Sequence, residues 1–210
     1  MTSLDQLKHI LYQDMKISLP LTRRQNLVRE MSRLEGKSIH CFNCPGTCCT
    51  FSANSMQVTP LEAFEILFSL NLNHEKAEEL KIKLQDTIAH YRLDHDIFTG
   101  KKASQDLRRT YTCPFFSPGP KGCTLGRALK PYGCLGFNPK IENDNGSHCH
   151  SNVAILEERE SLHTETETLA NSFLKEKFSL AWNKKDLPRA LFEILSIKTS
   201  LITTINNGVF

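Results

Sequence analysis

Residues 41–49 read CFNCPGTCC, which places four cysteines within nine positions. Four more follow later in the chain, so the full set is Cys41, Cys44, Cys48, Cys49, Cys113, Cys123, Cys134 and Cys149. Eight cysteines in 210 residues is a high density for a chain that begins without a secretory signal. A reducing cytoplasm keeps thiols reduced, and thiolates at this spacing bind soft metal ions well. The stretch therefore predicts a metal-binding protein that uses all eight cysteines as ligands.

The compartment and the classes of partner follow from composition. The N-terminal residues MTSLDQLKHILYQDMKISLP lack the basic segment and the apolar run of roughly 7–15 residues that mark a signal peptide. No stretch of about 18 apolar residues occurs that would suit a membrane span. The net charge is only +3, and no run of Lys and Arg exceeds a dipeptide. We expect a cytoplasmic protein with no membrane or nucleic-acid partner.

Apolar periodicity and capping signals predict helices at both ends of the chain. Short helices are expected before and after Pro20, and SMQVT at residues 55–59 suits a short strand. Thr59 begins a capping-box pattern with proline at the next position, and Asn73 suits the N-cap of a longer helix. Two further helices are predicted after residue 151, the first of them carrying a stripe of Ile155, Leu162, Leu169 and Phe173.

The stretch from residue 100 to 151 differs from the flanks because it holds most of the glycines and prolines, which favour turns. A loop that long needs something else to order it, and bound metal would do so. We therefore predict a mainly α fold in which amphipathic helices surround a loop-rich, cysteine-ligated metal core with little β structure. The expected divisions are an N-terminal helical extension (1–37), a cysteine-cluster metal-binding domain (38–151) and a C-terminal helical segment (152–210).

The spacing of the cysteines leaves several arrangements open. In an extended backbone Cys48 and Cys49 would point to opposite faces, which favours a polynuclear centre or two neighbouring sites over one mononuclear ion. Eight thiolates also make two sets of four. The alternatives are that some cysteines are simply buried thiols, or that the CxxC of Cys41 and Cys44 is a dithiol redox motif.

The identity of the metal also stays open between zinc and iron. Knuckle-like CxxC spacing favours zinc, whereas the run of thiolates and the proline after Cys44 and Cys113 favour an iron–sulfur cluster. No Asp or Glu lies near the cluster in sequence to attract a harder ion. An imidazole from His40, His148 or His150 is an alternative to one of the thiolates.

The pattern also resembles a known family. CFNCPGTCC, then CPFF from Cys113, then GCTLGRALKPYGCLGF from Gly122, and finally Cys149 are together similar to the CxxCxxCC or YkgJ-like cysteine-cluster proteins. The resemblance covers residues 38–151 and implies a zinc- or iron-chelating domain. Lys130-Pro131 replaces the Arg-Pro usual in the family, and Leu135 replaces a usual Arg, but neither change removes a thiol.

The same resemblance raises an enzyme as the alternative function. Bacterial flagellin lysine N-methylases look like relatives that carry this domain, and an iron–sulfur centre is implied for them. The present chain shows no GxGxxG loop, and it lacks the CxxxCxxC of radical S-adenosylmethionine chemistry because residue 51 is Phe. A third hypothesis is an interaction module whose helical ends bind a protein partner.

Overall fold

The computed structural model describes residues 4–41, 44–70, 72–99, 102–103, 108–118, 122–142, 144 and 148–206. Its helices are α1 (Leu4–His9), α2 (Pro20–Arg23), α3 (Gln25–Glu35), α4 (Pro60–Ser69), α5 (His74–Tyr91), α6 (Tyr132–Leu135), α7 (Val153–Phe178) and α8 (Leu187–Asn206). Its strands are β1 (Gln57–Val58), β2 (Phe98–Thr99), β3 (Lys102–Ala103), β4 (Phe137–Asn138), β5 (His150–Ser151) and β6 (Lys185–Asp186). Helix makes up 56% and strand 6% of the residues that the structure describes, which confirms the predicted mainly α class.

The chain divides into two compact units, each assembled from segments that are distant in sequence. The helical unit comprises Met1–Ile17, Gln57–His95 and Glu167–Phe210. The cysteine unit comprises Ser18–Met56 and Asp96–Thr166. Among the described helices, none combines the length and the apolar character needed to cross a bilayer.

The helical unit shows the predicted capping signals at work. Thr59 caps α4 through a complete capping box, in which its hydroxyl accepts from the Glu62 N–H while the Glu62 carboxylate accepts from the Thr59 N–H. The Asn73 side chain accepts from the Lys76 N–H and so caps α5. Both predicted helix starts are confirmed, because each depends only on residues within one turn.

Helix α8 supplies much of the core of the helical unit. Asp186 accepts a hydrogen bond from the Arg189 N–H (3.0 Å) at the start of α8. Strand β6 directly precedes α8 and pairs antiparallel with β1, so that Gln57 lies opposite Asp186. The buried side chains of this unit include Leu61, Phe64, Ile66, Leu84, Leu174, Leu191, Ile194 and Leu195. The predicted strand at 55–59 is thus confirmed as β1.

Helix α7 is present as predicted, but the expected stripe is not its buried face. Leu162 is 67% exposed and Leu169 is 59% exposed. The buried positions are Arg159, Ala170 and Leu174. Helical periodicity in sequence identifies a face, but polar and small residues occupy part of the face that is covered here.

In the cysteine unit, the α2 segment is anchored by two buried arginines. The Arg23 Nε donates to the Ser18 carbonyl (2.9 Å), and the Arg24 Nε donates to the Lys130 carbonyl (2.9 Å). The Arg24 guanidinium also lies 4.5 Å from the centre of the Tyr132 ring. The Arg159 guanidinium lies 3.3 Å from the same ring centre. These contacts hold the residues just before Cys134 against α2 and α7.

Candidate metal centre

All eight cysteines lie in the cysteine unit, and none of them forms a disulfide. Cys44 is buried, and the other seven are partly exposed. They come from four stretches of chain: residues 41–49, 113–123, 134 and 149. The fold therefore brings every cysteine that the sequence singled out into one compact unit.

The first stretch forms a tight loop. The Cys44 N–H donates to the Cys41 carbonyl (3.2 Å), and the Gly46 N–H donates to the Cys44 Sγ (3.3 Å). Gly46 has φ +82°, a left-handed conformation that favours glycine. A Cβ on this residue would lie 2.5 Å from the Phe116 ring. Only glycine lets the chain turn here while Phe116 packs on it.

Cys48 and Cys49 sit side by side on a 3₁₀ turn, Thr47–Cys49. Their Sγ atoms are 3.9 Å apart. The expectation that they point to opposite faces is wrong, because it assumed an extended backbone and the chain is helical here. Two thiolates bound to one tetrahedral zinc ion, with Zn–S about 2.3 Å, would be about 3.8 Å apart. The pair therefore has a separation that suits one shared ion.

The second stretch runs alongside the first. The Cys113 N–H donates to the Cys49 carbonyl (2.7 Å). Next to this pair, the Tyr111 N–H donates to the Asn54 carbonyl (2.9 Å), and the Asn54 side-chain amide donates to the Tyr111 carbonyl (3.0 Å). An isolated antiparallel bridge then pairs Phe116 with Cys123. Backbone pairing thus brings Cys113 and Cys123 to the first loop.

The last two cysteines lie near the ends of a short hairpin. Cys134 is in α6, just before β4, and Cys149 directly precedes β5, which pairs antiparallel with β4. Directly before Cys149, the His148 N–H donates (3.1 Å) to Asp144, whose side chain is fully buried. The hairpin and this carboxylate fix the backbone on both sides of Cys149.

Burial and the charge of neighbouring groups raise the pKa of several of these thiols. Burial raises the pKa of Cys41 to about 11, with help from Cys48 and Cys44. Burial, followed by Asp144, raises the pKa of Cys149 to about 12. The pKa of Cys134 is also raised well above its usual range by burial, with Cys113 and Cys123 adding to the effect. At neutral pH and without a cation, these three groups are neutral thiols.

Cys48 is the exception. A hydrogen bond from the Cys49 thiol lowers the pKa of Cys48 to about 7, against the opposing effect of burial, and Lys130 lowers it further. The same hydrogen bond raises the pKa of Cys49, because Cys49 keeps the shared proton. The vicinal pair therefore carries the most acidic thiol of those with a shifted pKa.

The electrostatic neighbours form two groups. Among the cysteines, Cys41, Cys48 and Cys44 raise the pKa of Cys149. The pKa of Cys49 is raised by Cys48, Cys113 and Cys134. Besides burial, Cys113, Cys123 and Cys48 raise the pKa of Cys134. Cys48 belongs to both sets, so the vicinal pair lies at the junction of the two groups.

Two groups near the cluster were not identified from the sequence. No Asp or Glu lies within residues 41–49, but the Asp144 charge acts on Cys149 in the fold. The Lys130 charge acts on Cys41, Cys48 and Cys134. The only available signal for Asp144 was its place in a turn-forming NDNG string five residues before Cys149.

The three histidines that flank the cysteines differ in environment. His40 is partly buried, whereas His148 is 61% exposed and lies 3.7 Å from Asp144. The His150 Nδ1 lies 3.2 Å from the Asn138 carbonyl, so one of its ring nitrogens is engaged by the hairpin. Ligation by any of the three stays a prediction.

Among the described residues, no three Cys, His, Asp or Glu side chains are already arranged to hold a metal ion. The chain matches no protein-family model, no curated protein and no solved structure in the three comparisons made.

Proposed function

We propose that this chain is a zinc- or iron-binding protein whose eight cysteines form one thiolate-rich centre. The observation that carries the proposal is that four separate stretches of chain bring eight thiols into one unit, where their charges act on one another. Deprotonating thiols that are buried beside other thiols is unfavourable unless a cation compensates the charge. Soft thiolates favour zinc, iron and other soft ions over magnesium or calcium.

The residues present fit such an ion in their chemistry and partly in their spacing. The 3.9 Å between the Sγ atoms of Cys48 and Cys49 matches the separation of two thiolates on one zinc ion. Because no three ligand side chains are yet arranged around one point in the described part of the chain, ligation requires thiol side chains to rotate. The loops that carry them are already held by backbone hydrogen bonds.

The grouping of neighbours favours a centre with more than one metal atom. Cys41, Cys44 and Cys149 would serve one side, and Cys113, Cys123 and Cys134 the other. Cys48 and Cys49 would lie between them. This arrangement accommodates two neighbouring four-thiolate sites as well as a cluster with shared thiolates.

Metal binding to this centre should release protons. Thiols with a pKa near 11 or 12, such as Cys41 and Cys149, are protonated at neutral pH and must lose the proton to become ligands. Each proton released makes the affinity rise with pH, so we expect metal to bind more weakly at pH 6 than at pH 8. Lys130 would offset part of the negative charge that remains.

The resemblance to the cysteine-cluster family supports zinc or iron as the bound metal. Lysine methylation remains the alternative function that the same resemblance implies.

A test of the proposal is to purify the full chain without oxygen and to measure zinc, iron, acid-labile sulfide and visible absorption. We expect bound metal: zinc would leave the protein colourless, whereas an iron–sulfur cluster would absorb visible light. A protein without metal that also fails to take up zinc, or iron with sulfide, would contradict the proposal. Metal-dependent methyl transfer to lysine would favour the enzyme.

A further inference from the structure

The vicinal pair Cys48–Cys49 also suits ligands other than a zinc or iron ion. Its sulfur atoms are 3.9 Å apart, nearly twice the S–S bond length of about 2.05 Å, so the pair is close but not bonded. Both residues are partly exposed. The pair therefore does not lie in the sealed core of the unit.

The backbone of the pair is already fixed. The Cys49 N–H donates to the Gly46 carbonyl (2.7 Å), and the Thr50 N–H and hydroxyl both donate to the Thr47 carbonyl (3.1 and 2.9 Å). The Cys49 carbonyl in turn accepts from the Cys113 N–H (2.7 Å). A ligand that needs both thiols thus binds without ordering the turn, which lowers the entropic cost of chelation.

We infer that Cys48 and Cys49 form a vicinal dithiol site for trivalent, thiophilic species with two exchangeable positions, of which monosubstituted arsenic(III) compounds are the simplest example. Arsenic(III) is soft and binds thiolate sulfur in preference to oxygen or nitrogen donors. A monosubstituted arsenical needs two thiols and no more, so the pair satisfies it completely. This site uses two thiols of the proposed zinc or iron centre and is therefore available in the metal-free chain; it does not require that centre to form.

The reaction balances without an oxidant. Phenylarsine oxide in its hydrated form carries two hydroxyl groups on arsenic. Each thiol loses its proton and forms one S–As bond, each hydroxyl leaves with one of those protons as water, and arsenic stays trivalent. The second bond forms within the same molecule, so a dithiol adduct should outlast any adduct to a single thiol.

Cys41 and Cys44 are the obvious competing pair, but their environment is less favourable. Cys44 is buried, and its sulfur accepts a hydrogen bond from the Gly46 N–H. An arsenical at that pair must enter the packed loop and replace this contact. The first equivalent of reagent should therefore go to Cys48 and Cys49.

The test uses the full chain, purified under reducing and anaerobic conditions and freed of metal with a chelator, with less than one equivalent of phenylarsine oxide. We expect intact-mass analysis to show one phenylarsenic group per modified chain, with fragmentation placing it on Cys48 and Cys49. Excess 2-mercaptoethanol should leave the adduct in place, and 2,3-dimercaptopropanol should remove it. C48S and C49S should each weaken binding at least about tenfold, because the chelate is lost.

The matched control is C41S/C44S, which keeps the vicinal pair and should still take up the first equivalent. The inference is overturned if wild-type protein forms no adduct, or if fragmentation places the first group on other cysteines. It is also overturned if C48S and C49S both bind as tightly as wild type. Metal analysis of untreated protein tests the zinc or iron centre separately, so failure of one leaves the other standing.

Discussion

Cys48 stands out among the thiols with a shifted pKa because a neighbouring side chain stabilises its charge. The Cys49 thiol donates to it across 3.9 Å, and Lys130 adds a favourable positive charge. Together they outweigh the burial that raises the pKa of the other thiols nearby. The result is one thiolate that is half formed near pH 7, beside a partner that holds its proton.

The first prediction concerns this pair. After metal is removed with a chelator, the alkylation rate of Cys48 should rise with pH around a midpoint of about 7. C49A removes the donor, so the midpoint should move to higher pH. C49S retains a hydroxyl donor, so the midpoint for Cys48 alkylation should move less in C49S than in C49A. Rates of iodoacetamide labelling, read residue by residue by mass spectrometry, measure this. An unchanged midpoint in C49A would show that Cys49 does not lower the pKa of Cys48.

The second prediction concerns Gly46. G46A puts a methyl group 2.5 Å from the Phe116 ring and forces alanine to φ +82°. We expect a loss of roughly 2–4 kcal/mol in the free energy of unfolding, from backbone strain and overpacking together. Because Gly46 shapes the first cysteine loop, metal content should fall as well.

The control for that variant is G126A. A Cβ at Gly126 meets nothing within 4 Å, and Gly126 lies in the same unit. Thermal unfolding and metal content of G126A should match wild type. Equal stability of G46A and wild type would mean that Phe116 does not pack on this loop.

Secondary-structure elements depend on short-range signals to different degrees. The starts of α4 and α5 follow from Thr59 and Asn73, whose side chains cap N–H groups three residues ahead. Such signals can be predicted because every participating atom belongs to one turn. The buried face of α7 could not be predicted, since it depends on which residues pack against the helix.

The third prediction concerns the α4 cap. T59A removes the hydroxyl that accepts from the Glu62 N–H, and we expect unfolding to become easier by about 1 kcal/mol. T87A is the matched control, because the Thr87 hydroxyl donates to the Lys83 carbonyl within α5 and caps no helix. Chemical denaturation of both variants checks this. A T59A protein no less stable than T87A would contradict it.

The turn at Cys48 and Cys49 shows why a motif does not fix its own geometry. The string CFNCPGTCC indicates a tight loop, but whether Cys48 and Cys49 diverge or lie together depends on local backbone conformation. The chain adopts a 3₁₀ turn because Gly46 takes a left-handed conformation and Cys49 bonds back to it. This choice places the sulfur atoms 3.9 Å apart.

Across the chain as a whole, the sequence predicts the fold class better than it predicts how the cysteines meet. The mainly α class follows from periodicity, and all eight cysteines do occupy one unit. Their grouping depends on long-range pairing, such as the Cys49–Cys113 and β4–β5 contacts, which leaves no local signal. Asp144 was missed because its position five residues before Cys149 does not by itself show that its charge acts on that thiol.

The most direct measurement is the metal content of the full chain against that of C41S/C44S, with G126A as a control for handling. Serine is close in size to cysteine but a poor ligand for soft metals. We predict that the double variant loses metal and unfolds at lower temperature, while its circular-dichroism spectrum keeps much of its helical signal. If it retains the metal content and melting temperature of wild type, Cys41 and Cys44 are not ligands and the proposed centre is wrong.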